Sequence, residues 1–173
     1  MSIGILQSAL FGDMFGTAAM RGVFGEGVFL ARCAEVEAAL ARAQARLGIV
    51  PDESAAAISE AAAAVAESPE SLDLARLKRE TETVGYPILP LVRQLAERAG
   101  PAGRWLHWGA TTQDIMDTAA VLQIREGLRL IEADLDAVRG HLAGLARRWR
   151  DTPMAGRTHL QHALPITFGY KAA

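Results

Sequence analysis

The sequence predicts an all-α protein whose longest helix belongs in a bundle of long helices. Three observations predict it. Half the residues are apolar but only 6% are aromatic, and alanine, leucine, glutamate and arginine dominate, which is helix-forming composition. Apolar residues recur at helical spacing in several segments. One of these segments is far longer than an ordinary globular helix, and its apolar positions step by 3 and 4 throughout.

The elements follow in order. The first ~25 residues are rich in glycine and aromatics without a clean period, and predict an ordered, irregular arm. From Glu26 to Leu47 the apolar positions Phe29, Cys33, Val36, Leu40, Ala43 and Leu47 step by 4 and 3, an amphipathic helix. Gly48 and Pro51 end it. Pro51, Asp52 and Glu53 open a second helix through an alanine run to about Glu67. Ser68 and Pro69 break that run, and a short helix is expected over 71–82. Gly85 and Pro87 break again, and ILPLVRQLAERAG reads as a helix with its stop at Gly100. The long helix follows. Val121, Ile124, Leu128, Ile131, Leu135, Val138, Leu142, Leu145 and Trp149 form a seam without a miss. A start near Thr112 gives it roughly 55 Å of length at about 1.5 Å per residue. Gly127, Gly140 and Gly144 fall inside the long helix, each at a cost of about 1 kcal/mol against alanine.

Charge and composition exclude several functions. The formal net charge is −2, which gives no broad electrostatic case for nucleic acid or an anionic membrane. No apolar run approaches the ~18 residues needed to span a bilayer. The first basic residue is Arg21, so no charged n-region of a secretory signal precedes it. The single cysteine, Cys33, lies on an apolar stripe and reads as core. A reducing, cytoplasmic setting is expected. No pattern demands a metal or an organic cofactor.

Two polar clusters stand out against this background. The first is HWGATTQDIMDTA, residues 107–119. The seam, extended backwards by the same steps, lands on Asp117 and Asp114, so the cluster is expected on the core-facing side of the long helix. Thr111 with Asp114 fits a capping box. Capping accounts for neither Asp117 nor the preceding His107, Gly109 and second threonine. A helix N-terminus with free N–H groups, two hydroxyls at Thr111 and Thr112 and a glycine suits a carboxylate or phosphate. Asp114 and Asp117 would repel such an anion unless they orient its partners.

The second cluster, MAGRTHLQHALP at 154–165, holds Arg157, Thr158, His159, Gln161 and His162. The H-x-x-H spacing has no third ligand nearby in a metal-binding pattern. Two readings stay open: a polar loop between helices, or a proton-transfer histidine whose tautomer Thr158 and Gln161 fix.

HWGATTQDIMDTA and GRTHLQHALPITFG, about 40 residues apart on either side of a long helix, together resemble the fumarase/aspartase superfamily. The resemblance covers essentially the whole chain, and implies a small N-terminal helical domain over residues 1–110 followed by the first part of a long-helix bundle over 111–173. It implies tetramers whose active sites draw residues from three subunits. It also implies a small polycarboxylate substrate, and chemistry through a carbanion held beside a carboxylate as an aci-carboxylate. By position, Thr111 and Thr112 look like the pair that binds a substrate carboxylate, and His107 like the histidine just before it. Gln113 falls in the same substrate-binding stretch. His159 looks like the histidine that acts as general acid or helps bind substrate, and Arg157, Thr158 and Gln161 would line the same pocket.

Within the superfamily, adenylosuccinate lyases carry an Arg-Tyr pair near the N-terminus and a T-x-H-D element. The matching positions here look like Met14 and Phe15, and Thr83 and Val84, which argues against a nucleotide substrate. The arm FGDMFGTAAMRGVF and the VGYPILPLVRQL helix look more like 3-carboxy-cis,cis-muconate cycloisomerase, which closes a lactone. His159 cuts the other way, because it keeps the lyase-like histidine. A C–N lyase acting on an aminodicarboxylate therefore remains the runner-up, and a non-enzymatic helical oligomerisation module is the reading from another class. The superfamily's M-P-x-K-x-N loop does not occur in the sequence. A partial chain is therefore expected, not competent for turnover by itself, with a seam that self-associates or stays exposed.

Overall fold

The computed structural model describes residues 4, 8 and 10–173. The first part of the expected arm, residues 1–3, 5–7 and 9, lies outside the described residues. The chain divides into two units, Met1–Gly127 and Leu128–Ala173. Its helices are α1 (Ala18–Val23), α2 (Glu26–Arg46), α3 (Asp52–Glu67), α4 (Leu74–Val84), α5 (Ile88–Ala99), α6 (Thr112–Arg148) and α7 (Phe168–Ala172). Strands β1 (Pro153–Thr158) and β2 (Gln161–Thr167) form a two-stranded antiparallel hairpin. The fold is all-α with this one small sheet among the described residues. The arm is more regular than its composition suggests. Thr17 accepts from the Met20 N–H to cap α1. Arg21 returns its guanidinium to the carbonyls of Gly12 and Gly16 and to Asp13, closing the turn before it.

The first unit has one core, and its densest part lies between α2 and α3. The buried face of α2 is Leu30, Ala31, Cys33, Ala34, Ala38 and Ala41. Facing it are Ala55, Ile58, Ala61, Ala62 and Val65. The helix is the expected one, but its buried face is rotated from the stripe of large residues. Phe29, Val36 and Leu40 are half-buried and Leu47 is exposed. The cause is close approach: alanine on both partners lets the backbones come together, and larger side chains are displaced to the rim. Burial pushes the Cys33 thiol up to about 12, with the neighbouring Glu37 charge adding to the effect, so Cys33 is an unreactive core residue.

The remaining helices are tied on by polar groups as well as packing. Gln94 on α5 uses its whole side-chain amide on one residue, accepting from the Asp73 N–H at 2.9 Å and donating to the Asp73 carbonyl at 3.1 Å. Asp73 in turn caps α4 through the Arg76 N–H. Ile115, Ala119, Gln123 and Gly127 are the buried face of α6 in this unit. Gln123 donates to the Val23 carbonyl at 2.8 Å. A Cβ on Gly127 would lie 3.4 Å from Met20 and Phe24, so this glycine seats α6 against α1.

In the second unit, the hairpin pairs Pro153 with Thr167 and Thr158 with Gln161. Between them Gly156 stands opposite both Ala163 and Leu164, a bulge in which a Cβ on Gly156 would meet the Leu164 carbonyl oxygen at 2.3 Å. The end of α6, Trp149, accepts from the Gly169 N–H at 2.8 Å, and no side chain at residue 169 fits against Arg150.

The seam from Val121 to Trp149 is open along its whole length, from 60% exposed at Val121 to 37% at Trp149. Asp114 and Asp117 are exposed with it. The expectation of a core-facing cluster is corrected for this chain: α6 buries the opposite face. Among the described residues no helix is long and apolar enough to cross a membrane.

The glycine geometry makes a stability prediction. A Cβ on Gly103 would lie 2.5 Å from the Ala96 carbonyl oxygen, whereas one on Gly140 meets nothing. Gly103→Ala should lower stability by about 1–3 kcal/mol through overpacking. Gly140→Ala should leave it unchanged or raise it by up to about 1 kcal/mol. Urea denaturation of the two variants checks the contrast.

Candidate active site

The first polar cluster forms the loop that enters α6. His107 takes φ 58° and Gly109 φ 70°, so the chain turns through the left-handed region twice in three residues. For histidine this backbone is uncommon and needs external support. The support comes from α2. His107 Nδ1 lies 2.5 Å from Glu37 Oε1, and Gln44 Nε2 donates to the Trp108 carbonyl at 2.6 Å. Glu37 and Gln44 are seven residues apart, two helical turns, and so share one face of α2. Trp105 and Trp108 stack at a tilt with ring centroids 5.4 Å apart.

Glu37 is 1% exposed, and its second oxygen, Oε2, is buried without a partner. A buried carboxylate of this kind is costly unless an opposite charge meets it. The hydrogen bond from His107 to the Glu37 carboxylate raises the His107 pKa, burial works against it, and the charges of Glu37 and Asp114 add to the rise. His107 is therefore biased toward the imidazolium form.

The entry to α6 shows one half of the expected capping box, while the Asp114 N–H goes to the Thr111 carbonyl and not to its hydroxyl. The Asp114 carboxylate accepts from the Thr111 N–H at 2.9 Å. Asp117 accepts from the Gln113 amide at 2.6 Å. Both acids are thus occupied by neighbours, and Gln113 is spent on Asp117. The N–H groups of Thr112 and Gln113 stand at the first positions of the helix, where no intrahelical acceptor exists. Thr111 is exposed and Thr112 half-buried. Alongside runs a cleft of about 320 Å³ lined by Leu40, Gln44, Trp108, Asp114 and Thr118 among others.

The second cluster lies on the hairpin of the other unit. His159 and Leu160 form a two-residue turn between paired Thr158 and Gln161, with Arg157 opposite His162. Arg157, Thr158, His159, Gln161 and His162 therefore gather at one hairpin tip, all exposed. Leu160 carries φ 58° and is 93% exposed. A bulky residue in that conformation, with its side chain in solvent, is a strained element at the tip.

A family described as lyase matches residues 15–173. The fumarate lyase of Mesorhizobium sp. BNC1 is 63% identical with a TM-score of 0.81, over 88% of this chain and 35% of that one. The 3-carboxy-cis,cis-muconate lactonizing enzyme of Pseudomonas putida is 42% identical with a TM-score of 0.85, over 95% of this chain and 37% of that one. Trans-aconitate decarboxylase 1 of Mycosarcoma maydis is 44% identical over 93% of this chain and 32% of its own length. This chain belongs to the lyase family, within the fumarase/aspartase superfamily. It spans about a third of the length of these relatives.

In this lyase-family chain the structure brings His107, Thr111, Thr112 and Gln113 together at one helix entry. It brings Arg157, Thr158, His159 and Gln161 together at one hairpin tip. Sequence reasoning missed Glu37 and Gln44. The available signal was an acid at position 37, on the same helical stripe as Cys33, Ala34 and Ala41.

The His107–Glu37 contact carries a pH signature. The folded chain holds the His107 proton more tightly than the unfolded chain does. The contact's stabilisation is therefore complete below the unfolded value of about 6.5, and is lost as pH rises through the higher folded value. Urea denaturation from about pH 6 to about pH 9 should show stability declining in the native sequence. His107→Gln should remove that part of the slope, and an identical slope in both would contradict the assignment.

Proposed function

We propose that the protein is a cycloisomerase that adds an internal carboxylate of 3-carboxy-cis,cis-muconate to a double bond, forming a carboxymuconolactone. Its setting is cytoplasmic and its working form a homotetramer, with no cofactor. The observation that carries the reading is the geometry at the entry of α6, where His107 is held by Glu37 just before the first turn of the helix. There the N–H groups of Thr112 and Gln113 have no intrahelical acceptor, and His107 in the preceding loop is biased toward its cationic form. A substrate carboxylate docks on Thr111 and Thr112, with His107 and the helix dipole meeting its charge. By resemblance, Arg157, Thr158 and Gln161, exposed at the hairpin tip, would also bind substrate. Gln113 supports it through Asp117.

The reaction needs little else. A carboxylate oxygen attacks one carbon of the double bond, and the bond electrons move to the carbon beside another carboxylate. That carbon then takes a proton, and His159, the lyase-like histidine, is the proposed donor. The product is an isomer of the substrate, with no atom gained or lost. The 42% identity to the P. putida lactonizing enzyme supports the assignment. Exposed Met14 and Phe15 offer nothing to a nucleotide phosphate.

A second reading, elimination of fumarate from an aminodicarboxylate, is favoured by His159 itself, the lyase-like histidine. Both substrates should be offered to the full-length protein. Consumption of carboxymuconate with lactone formation is expected, and release of fumarate instead would replace this reading with the second. His159→Asn should lower kcat by about 10²–10⁴-fold with the assembly intact. A helical scaffold without catalysis would show no turnover to lose. The 173 residues alone should turn over neither substrate.

A further inference from the structure

We infer that Glu37 is a positioning residue of the carboxylate seat: through its bond to Nδ1 it fixes the ring of His107 so that Nε2 faces the ligand. The inference rests on the proposed carboxylate-binding role of the α6 entry. Four observations carry it. Glu37 is 1% exposed on a helix face otherwise made of alanine, leucine and cysteine. Its Oε2 has no partner, although buried polar atoms in folded proteins are nearly always satisfied. A pair of apolar residues of similar volume would serve stability as well or better, so stability alone does not account for a carboxylate here. The single bond it makes holds a histidine in a left-handed backbone conformation immediately before the two threonines.

The chemistry is that of an oriented imidazole. A carboxylate on Nδ1 fixes which nitrogen carries the proton toward the protein and leaves Nε2 to the ligand. The titratable groups facing His107 are Glu37 from α2 and Asp114 from α6. Cys33, one turn from Glu37, stays neutral. Arg104, in the turn leading to the loop, lies over the Trp105 ring. Both acids favour the charged ring, and Glu37 does so most, because it also makes the hydrogen bond. Asp114 is exposed and already holds the Thr111 N–H, so solvent weakens its part.

The test uses the full-length protein with the isosteric variant Glu37→Gln. KM for the polycarboxylate should rise roughly tenfold, as for loss of a charge-assisted contact. The same estimate, for a group acting on binding alone, keeps kcat within about threefold. The alkaline limb of kcat/KM should move to lower pH, because His107 loses its proton earlier. In a His107→Gln background Glu37→Gln should add nothing. An unchanged KM and pH limb, or an equally large effect without His107, overturns the inference. Should Glu37→Gln not fold, Glu37→Asp decides. It keeps the charge but draws it back by one methylene, and should raise KM. A normal KM, or failure of both variants to fold, would make Glu37 purely structural. If the native protein turns over no polycarboxylate, the proposed function fails by itself. The orienting role is then read from the His107 titration by NMR of 13C-histidine-labelled protein. That titration should move to lower pH in Glu37→Gln, and an unmoved titration overturns the inference.

Discussion

The buried carboxylate of Glu37 is the constraint around which the candidate site is arranged. It is the one fully buried acid among the described residues of the first unit. Sunk in an alanine face, it requires a cationic or donating partner, and His107 is the group that reaches it. Meeting that requirement pulls the loop before α6 onto α2 and supports a left-handed histidine. Gln44 repeats the device two turns further along, holding the Trp108 carbonyl. The direction in which α6 enters, and the presentation of its first N–H groups, follow from these two attachments.

The same helix then does two jobs on two faces. Ile115, Ala119, Gln123 and Gly127 close the core of the first unit, with Gly127 giving way to Phe24 and Met20. The opposite face, from Val121 to Trp149, remains open and apolar. Exposed apolar stripes of this length are characteristic of association surfaces. The proposed homotetramer gives that face a function, and the resemblance to long-helix bundles predicts the same.

Much of the fold was legible. The breaks at Gly48–Pro51, Ser68–Pro69 and Gly85–Pro87 placed the ends of α2, α3 and α4 within a few residues, because glycine and proline act locally. The length of α6 followed from a seam that never misses. Burial was less legible. Along α2 the large residues Val36, Leu40 and Leu47 drew attention, yet close approach to α3 selected the alanines. The hairpin escaped because its turn is His159–Leu160, without the Asn-Gly or Gly signal that marks a two-residue turn, and its strands carry a glycine bulge and two prolines. At the site, the motif residues at 107–113 and 157–161 were visible as clusters. Glu37 was not, because one glutamate in an alanine-rich helix has the pattern of a solvated face until the packing partner is known.

In the proposed site the α6 entry, charged through His107, is a seat for carboxylates. Calorimetric titration of the full-length protein with tricarballylate, a tricarboxylate lacking the reactive double bond, tests it most directly. Binding should be tight while His107 is protonated. Binding should weaken as pH rises through the elevated His107 pKa, well above the range in which the ligand's own carboxyls titrate. Absence of binding, or an affinity indifferent to pH across that range, would contradict it.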